Sequence, residues 1–352
     1  MKRRITTIAG VAAVVVYAAA FAVVASRWAA GLRGTAGDPT PNGTLSLIVE
    51  PDDGIAPVLA AIRGATRSID LGVYELDDPA IETALADAVA RGIAVRVMLS
   101  AGYDGARSAV NGPAYGYLDA RGVPVRWSPG YFSLTHEKSL VIDGTRAIVM
   151  TFNLVAKYYA TGRDFGAVDG DAGDVAAIER TFAADWSDAG SEREGNNGAR
   201  GDDLLWSPGS EDALLGIIRG AHRSLAVYNE EMADGDVTKA LIDAAWRGVS
   251  VRVVMTGSSQ WKWAFAELAT AGVQVRTFAD DPSAPLYIHA KAIVADEGLS
   301  DARAFVGSEN FSKASLYRNR ELGIVTGDPG IIAGVARTFV ADWQAARPFV
   351  MP

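Results

Sequence analysis

Eight residues, His136-Glu137-Lys138-Ser139-Leu140-Val141-Ile142-Asp143, recur in pattern as His289-Ala290-Lys291-Ala292-Ile293-Val294-Ala295-Asp296. The chain of 352 residues has only three histidines, and two of them sit in these matching His-x-Lys-x4-Asp frames. The surroundings match too. An offset of 156 lays Arg67-Ser68-Ile69 on Arg223-Ser224-Leu225, Glu75 on Glu231, and Arg91-Gly92-Ile93-Ala94-Val95-Arg96-Val97 on Arg247-Gly248-Val249-Ser250-Val251-Arg252-Val253. Arg180-Thr181-Phe182-Ala183-Ala184-Asp185-Trp186 likewise returns as Arg337-Thr338-Phe339-Val340-Ala341-Asp342-Trp343. A repeat this long is a duplicated domain, since solenoid periods run to roughly 20–50 residues.

Within each copy, apolar runs alternate with segments of helical spacing. Leu45–Val49 reads as a strand, Ile55–Thr66 as a helix, Ser68–Tyr74 as a strand, Pro79–Arg91 as a helix stopped by Gly92, and Val95–Leu99 as a strand. Such alternation predicts an α/β fold, with a mostly parallel or mixed sheet flanked by helices in each half. Asp143-Gly144 between Ser139–Ile142 and Ala147–Met150 is a turn signal, so the repeated motif lies on a hairpin. The second copy has a longer hairpin tip at Glu297–Arg303. The polar, Gly- and Asn-rich run 189–203 separates a first domain, 45–188, from a second, 204–352.

The N-terminus reads differently. Lys2-Arg3-Arg4 precedes an uncharged run from Ile5 to Ser26, long enough to cross a hydrocarbon core about 30 Å thick. Residues 1–28 are therefore expected to be a single transmembrane anchor and 29–44 a linker. Basic residues before the span predict a cytoplasmic N-terminus and a body outside the cell membrane, or secreted if the segment is cleaved. The first 33 residues hold five basic and no acidic side chains, which leaves 28 basic against 42 acidic residues, net −14, in the body. That balance disfavours tight nucleic-acid binding, which rests on phosphate neutralisation by Lys and Arg. The chain has no cysteine, which excludes disulfides and thiolate metal sites.

On a strand, residues i and i+2 share a face. His136 with Lys138, and His289 with Lys291, can thus face one pocket. Downstream of each comes a hydroxyl (Thr151, Ser308), an Asn (Asn153, Asn310) and an acid (Asp164, Glu321). Asp143 and Asp296 have the opposite parity and read as hairpin structure. If the halves pack with pseudo-two-fold symmetry, two lysines and two asparagines surround an anion with a histidine on either side. That set suits a phosphodiester: one neutral His attacks phosphorus, the cations stabilise the equatorial oxygens, and the other His protonates the leaving oxygen. Asp164 and Glu321 would accept the second ring N–H of a histidine and fix its tautomer. With this much positive charge the chemistry calls for no metal or other cofactor. Glu75 and Glu231, matched at strand ends, are candidate pocket residues along with the two hydroxyls.

The duplicated His-x-Lys-x4-Asp with Gly307-Ser308-Glu309-Asn310 and Glu321 resembles the phospholipase D superfamily. The first copy keeps His136, Lys138, Asp143 and Asn153 but has Met150-Thr151 where the family has Gly-Ser, and Asp164 in place of Glu. The resemblance implies two tandem domains around one shared site, a phosphohistidine intermediate, and hydrolysis of phospholipid head groups; in the family the N-terminal histidine is often the nucleophile. Phosphatidyl transfer, as in cardiolipin synthases, is the alternative acceptor chemistry, ahead of a nuclease or a non-catalytic binding protein. A monomer acting on a phospholipid or other phosphodiester is expected.

Overall fold

The computed structural model describes residues 45–352 apart from 103–105, 190–194, 196, 282 and 352. The expected anchor and linker lie outside the described residues. Among the described residues no helix is long and apolar enough to cross a membrane.

The first half is built from β1 (Leu45–Glu50), α1 (Ala56–Gly64), β2 (Ser68–Val73), α2 (Pro79–Ala90), β3 (Ala94–Leu99), α3 (Ala106–Asp119), β4 (Val125–Trp127), β5 (Lys138–Ile142), β6 (Arg146–Met150), β7 (Gly162–Asp169) and α4 (Ala172–Ser187). The second repeats the plan with β8 (Leu204–Ser207), α5 (Glu211–Gly220), β9 (Ser224–Tyr228), α6 (Gly235–Trp246), β10 (Ser250–Thr256), α7 (Lys262–Thr270), β11 (Gln274–Phe278), β12 (Tyr287–Ile288), β13 (Lys291–Ala295), β14 (Arg303–Gly307), α8 (Lys313–Tyr317), β15 (Glu321–Thr326) and α9 (Pro329–Ala345). The strand orders are the same: β1-β7-β6-β5-β2-β3-β4 in one sheet and β8-β15-β14-β13-β9-β10-β11 in the other.

Both sheets are mixed, and the parallel part is smaller than the strand–helix alternation suggests. Only β2-β3-β4 and β9-β10-β11 run parallel; every other pairing along the two paths is antiparallel. The reason is connection length. The signature strands β5 and β6 are joined by a three-residue turn, too short for the crossover that a parallel pair needs. At that turn Asp143 adopts φ 56°, as does Asp296 in the second half. Each carboxylate accepts backbone N–H groups where β2 or β9 begins: Thr66, Arg67 and Ser68 for Asp143, His222, Arg223 and Ser224 for Asp296. The third member of the signature thus ties a left-handed turn to the neighbouring strand.

Each half buries its own outer core, with Val58, Ile62, Leu71 and Leu85 in one and Leu214, Ile218, Val227 and Leu241 in the other. A third core is common to both. It joins Val149, Phe165 and Ile178 of the first half to Tyr228, Val306, Ile324 and Phe339 of the second. The seam is fastened by two buried ion pairs that cross it. Arg163, beside Asp164, binds Asp342 of α9 through Nε at 2.7 Å and Nη2 at 3.0 Å. Arg320, beside Glu321, binds Asp185 of α4 through Nε at 2.8 Å and Nη2 at 3.0 Å. These are the aspartates of the repeated Ala-Asp-Trp, one from each copy. Strand β12 of the second half also pairs in parallel with β7 of the first.

Candidate active site

The seam brings the two signatures together with their acids exchanged. His136 donates from Nδ1 to Glu321 Oε2 at 2.8 Å, and His289 from Nδ1 to Asp164 Oδ1 at 2.9 Å. Each histidine is therefore oriented by the carboxylate of the other half. A carboxylate can only accept, so Nδ1 carries the proton and Nε2 is left for chemistry. The backbones are crossed in the same way. His136 N and Glu137 N donate to Arg320 O at 2.8 and 2.9 Å, while His289 N and Ala290 N donate to Arg163 O at 3.3 and 2.8 Å. The two arginines thus fasten the seam with their guanidinium groups and seat the histidines with their carbonyls.

The lysines are fully buried. Lys138 Nζ donates to His136 O at 2.6 Å and Lys291 Nζ to His289 O at 2.5 Å. Burial lowers Lys138 to about 7, with Glu321 working against the shift and Lys291 adding to it. His136, 7% exposed, is pushed down to about 4, chiefly by burial, against the opposing pull of Glu321. Burial works to raise Glu321, but His136 and Lys138 overcome it and hold the acid below its ordinary range. His136 is thus neutral near pH 7 and sits beside an ionised acid.

The remaining expected site residues divide. Asn153, Asp164 and Glu75 line a cavity of about 580 Å³ that opens on His289. Asn310 directs Nδ2 toward Glu230 Oε2 and Glu231 Oε1, both at 3.4 Å. Thr151 and Ser308, expected to meet substrate, are turned inward and fully buried. Thr151 Oγ1 donates to Asp164 Oδ1 and accepts from Phe165 N at 2.9 Å, while Ser308 Oγ accepts from Leu322 N at 3.1 Å. Their hydroxyls brace the acid strands β7 and β15. Glu231 also misses the cavity wall; its neighbour Glu230 takes that place.

Glu230 is the residue that the repeat does not reveal. Its carboxylate lies 2.9 Å from Lys291 Nζ and 3.6 Å from His289 Nε2, and it accepts from the Tyr287 hydroxyl at 2.9 Å. Burial would raise its pKa, but Lys291 and His289 prevail and hold it well below the carboxylate range. The offset of 156 places Tyr74 at the corresponding position of the first half. The Tyr74 ring lies edge-on to His136 at 4.6 Å, and Lys138 Nζ sits 5.3 Å from its centroid. A carboxylate faces one His-Lys pair and a phenol the other, so the two pairs match while their surroundings differ. Only a comparison of unlike residues at matched positions signals this.

Among the described residues one cluster of acids has metal-ligand spacing, Glu211 with Asp234 and Asp236. Lys313 Nζ reaches all three carboxylates at 2.8–3.1 Å, so an ammonium already bridges that cluster.

A family model described as "Cardiolipin synthase, PLD-like domain" matches residues 58–186 and again 214–343. The chain belongs to the phospholipase D superfamily. Both copies of the model fall on the duplicated halves. Among curated relatives, phospholipase D Z of Dictyostelium discoideum is 31% identical over 163 residues, covering 41% of this chain and 37% of that protein. The major cardiolipin synthase of Bacillus subtilis is 25% identical over 247 residues, covering 61% of this chain and 49% of the relative. The matched region thus spans half or less of each relative's length. Phosphatidylserine synthase of Haemophilus influenzae shares the fold, with a TM-score of 0.70 at 11% identity over 92% of this chain and 91% of that one. Polyphosphate kinase of Porphyromonas gingivalis does so at TM-score 0.65 and 16% identity, over 85% and 47%.

Proposed function

We propose that the chain transfers a phosphatidyl group, through a phosphohistidine, from a phospholipid to a hydroxyl acceptor. The observation that carries this is the pair of histidines, each tautomerically fixed by the opposite half's carboxylate, with a buried lysine beside each. His136 is the nucleophile in this reading, because burial keeps its ring neutral near pH 7 and Nε2 holds the lone pair. His136 Nε2 forms a bond to phosphorus as the bond to the head-group oxygen breaks. That oxygen takes a proton from Nε2 of His289, which faces the cavity into which the head group departs. An acceptor hydroxyl then enters the cavity and gives its proton to His289. Its oxygen attacks phosphorus and His136 leaves. Lys138, Lys291, Asn153 and Asn310 supply the donors for the equatorial oxygens.

Water as acceptor makes the protein a phospholipase D-type phosphodiesterase, and an alcohol makes it a phosphatidyltransferase. The chemistry is shared up to that step. The resemblance to phospholipases D supports the first, and the cardiolipin synthase description of the matching family model supports the second equally. The apolar run Ile5–Ser26, preceded by Lys2-Arg3-Arg4, supports placing the body on the outer side of a membrane to which it is tethered, and we take it to act there as a monomer.

The test uses the full chain with phospholipid vesicles labelled in the head-group phosphate. Alkaline quenching during turnover should leave label on His136, and none in His136→Asn. Both His136→Asn and His289→Asn should lose turnover by at least a thousandfold. Turnover that persists in either variant, or proceeds without labelled protein, overturns the reading.

A further inference from the structure

The cavity beside His289 has a charge that the reaction itself does not require. Six carboxyl groups line it: Glu50, Glu75, Asp164, Glu230, Asp280 and Asp281. No lysine or arginine is among the lining residues. The basic groups closest to these acids sit behind the wall and are already engaged, Lys291 with the Glu230 carboxylate at 2.9 Å and Arg163 with the Glu50 carbonyl and Asp342. Only Asp164, which orients His289, has a part in the chemistry above. The other walls are aromatic, with Tyr74, Phe152, Tyr158, Tyr159 and Tyr287. Acids interleaved with π-faces form a surface that attracts cations and repels anions.

A second, independent observation lies on the inner wall. Glu50 ends β1 opposite Asp164 in register, is 1% exposed, and neither of its carboxyl oxygens has a hydrogen-bond partner. A buried polar group without a partner is costly, and such groups are few in native proteins. The cavity that Glu50 lines is where a ligand would meet it. Burial, with Asp164 and Asp53 adding to it, raises Glu50 to about 8, so near pH 7 it is a neutral acid that donates. The corresponding residue of the second half is Ser207, whose hydroxyl is bound to the Ser315 carbonyl, so the open acid belongs to the first half alone.

We infer that this cavity is the head-group subsite and that it takes an alcohol bearing a positively charged amine. This deepens, and rests on, the phosphatidyl-transfer reading. The amine lies among the tyrosine rings and the carboxylates of Glu75, Asp280 and Asp281, while the reacting oxygen faces His289. Glu230 ties the charge selection to the reaction, since its carboxylate bridges the cavity wall and Lys291. A head group or acceptor that carries its own phosphate meets five further carboxyl groups and, apart from His289 itself, no basic side chain in the wall. The subsite therefore runs against an anionic acceptor such as the glycerophosphate end of another lipid.

The test compares short-chain phospholipids as dissolved monomers with the full chain. The ethanolamine lipid should show kcat/KM at least tenfold above the glycerol lipid of equal chain length. In Asp280→Asn/Asp281→Asn, and separately in Glu75→Gln, the ratio should fall toward one. A ratio of one or less in the wild type, or a ratio unchanged in both variants, overturns the inference. Free ligands separate this outcome from failure of the transfer reading. By calorimetry, ethanolamine should bind with a Kd at least tenfold below that of glycerol 3-phosphate, and this preference should weaken in Asp280→Asn/Asp281→Asn. If no lipid turns over yet ethanolamine binds so, the subsite stands without the reaction; equal or tighter glycerol 3-phosphate binding removes the subsite.

Discussion

Replacing Asp185 by Ala would take from the buried Arg320 guanidinium the carboxylate that accepts two of its hydrogen bonds. Arg320 and Asp185 are 0% and 1% exposed, and two charge-assisted hydrogen bonds of 2.8 and 3.0 Å join them. The aromatic contacts of Arg320, to Phe132 at 4.3 Å and Trp206 at 5.5 Å, survive the change but do not neutralise the charge. Removing one partner of a buried ion pair costs about 3–5 kcal/mol, because the other charge stays desolvated. That is a fifth or more of a typical folding free energy of roughly 5–15 kcal/mol. With a urea m-value of about 3 kcal/mol/M, the unfolding midpoint should fall by roughly 1–1.7 M. Asp70→Ala is the control. It breaks a similar bidentate pair with Arg96, whose side chain is 36% exposed, and should cost under about 1 kcal/mol. Asp342→Ala should fall between the two, since Arg163 keeps a weak contact with Asp52 at 3.7 Å and the Glu50 carbonyl. Adding Arg320→Met to Asp185→Ala should restore most of the loss. A loss for Asp185→Ala no larger than for Asp70→Ala, or a double variant less stable than the single, would show that the buried charge does not set the cost. Because the Arg320 carbonyl seats His136, activity of the folded Asp185→Ala protein should also drop.

Exchanging the orienting acids for amides should separate tautomer control from charge: Glu321→Gln and Asp164→Asn should each lower kcat by up to about 10⁴ with little change in KM, as when a triad histidine loses its orienting carboxylate. A loss below threefold in either would mean that the crossed acids are structural. The pH profile of kcat/KM should rise through about 4, as His136 loses its proton, and fall through about 7, as Lys138 loses its own. The sign follows from the forms needed, a neutral imidazole and a charged ammonium, and kcat/KM reports the free enzyme. Lys138→Arg should move the alkaline limb upward; a limb that stays near 7 would assign it to another group.

The duplication, the strand–helix plan and the two His-Lys pairs that meet at the seam were all legible in the sequence. An internal repeat supplies its own alignment, and a hairpin carrying His-x-Lys puts both side chains on one face whatever else the chain does. The turn role of Asp143 and Asp296 was legible for the same local reason, parity and a following turn. The long-range pairing was not. No spacing rule says that Glu321 serves His136 and Asp164 serves His289, nor that the repeated Asp-Trp helices contribute Asp185 and Asp342 to ion pairs across the seam. Those partners are 125 to 185 residues apart and meet only when the two sheets pack.

The same limit explains what was misplaced. Matched hydroxyls and matched glutamates look functional in sequence, yet Thr151 and Ser308 brace the acid strands, and Glu230 rather than Glu231 faces the cavity. Beyond the end of β9 the backbone leaves the strand's two-residue alternation, so the orientation of Glu230 follows from loop geometry and not from parity. Compensating exchanges were equally hidden. Glu137 fills space beside Gly72, where an added Cβ would lie 3.0 Å from its carboxylate. At the matching place the second half sets Tyr228 against Ala290, with the phenol donating to Asp342 at 2.7 Å. Which half carries the acid and which the ring is written in the sequence as unlike residues at matched positions. That they surround the two His-Lys pairs of one site is decided only where the two nearly identical folds meet face to face.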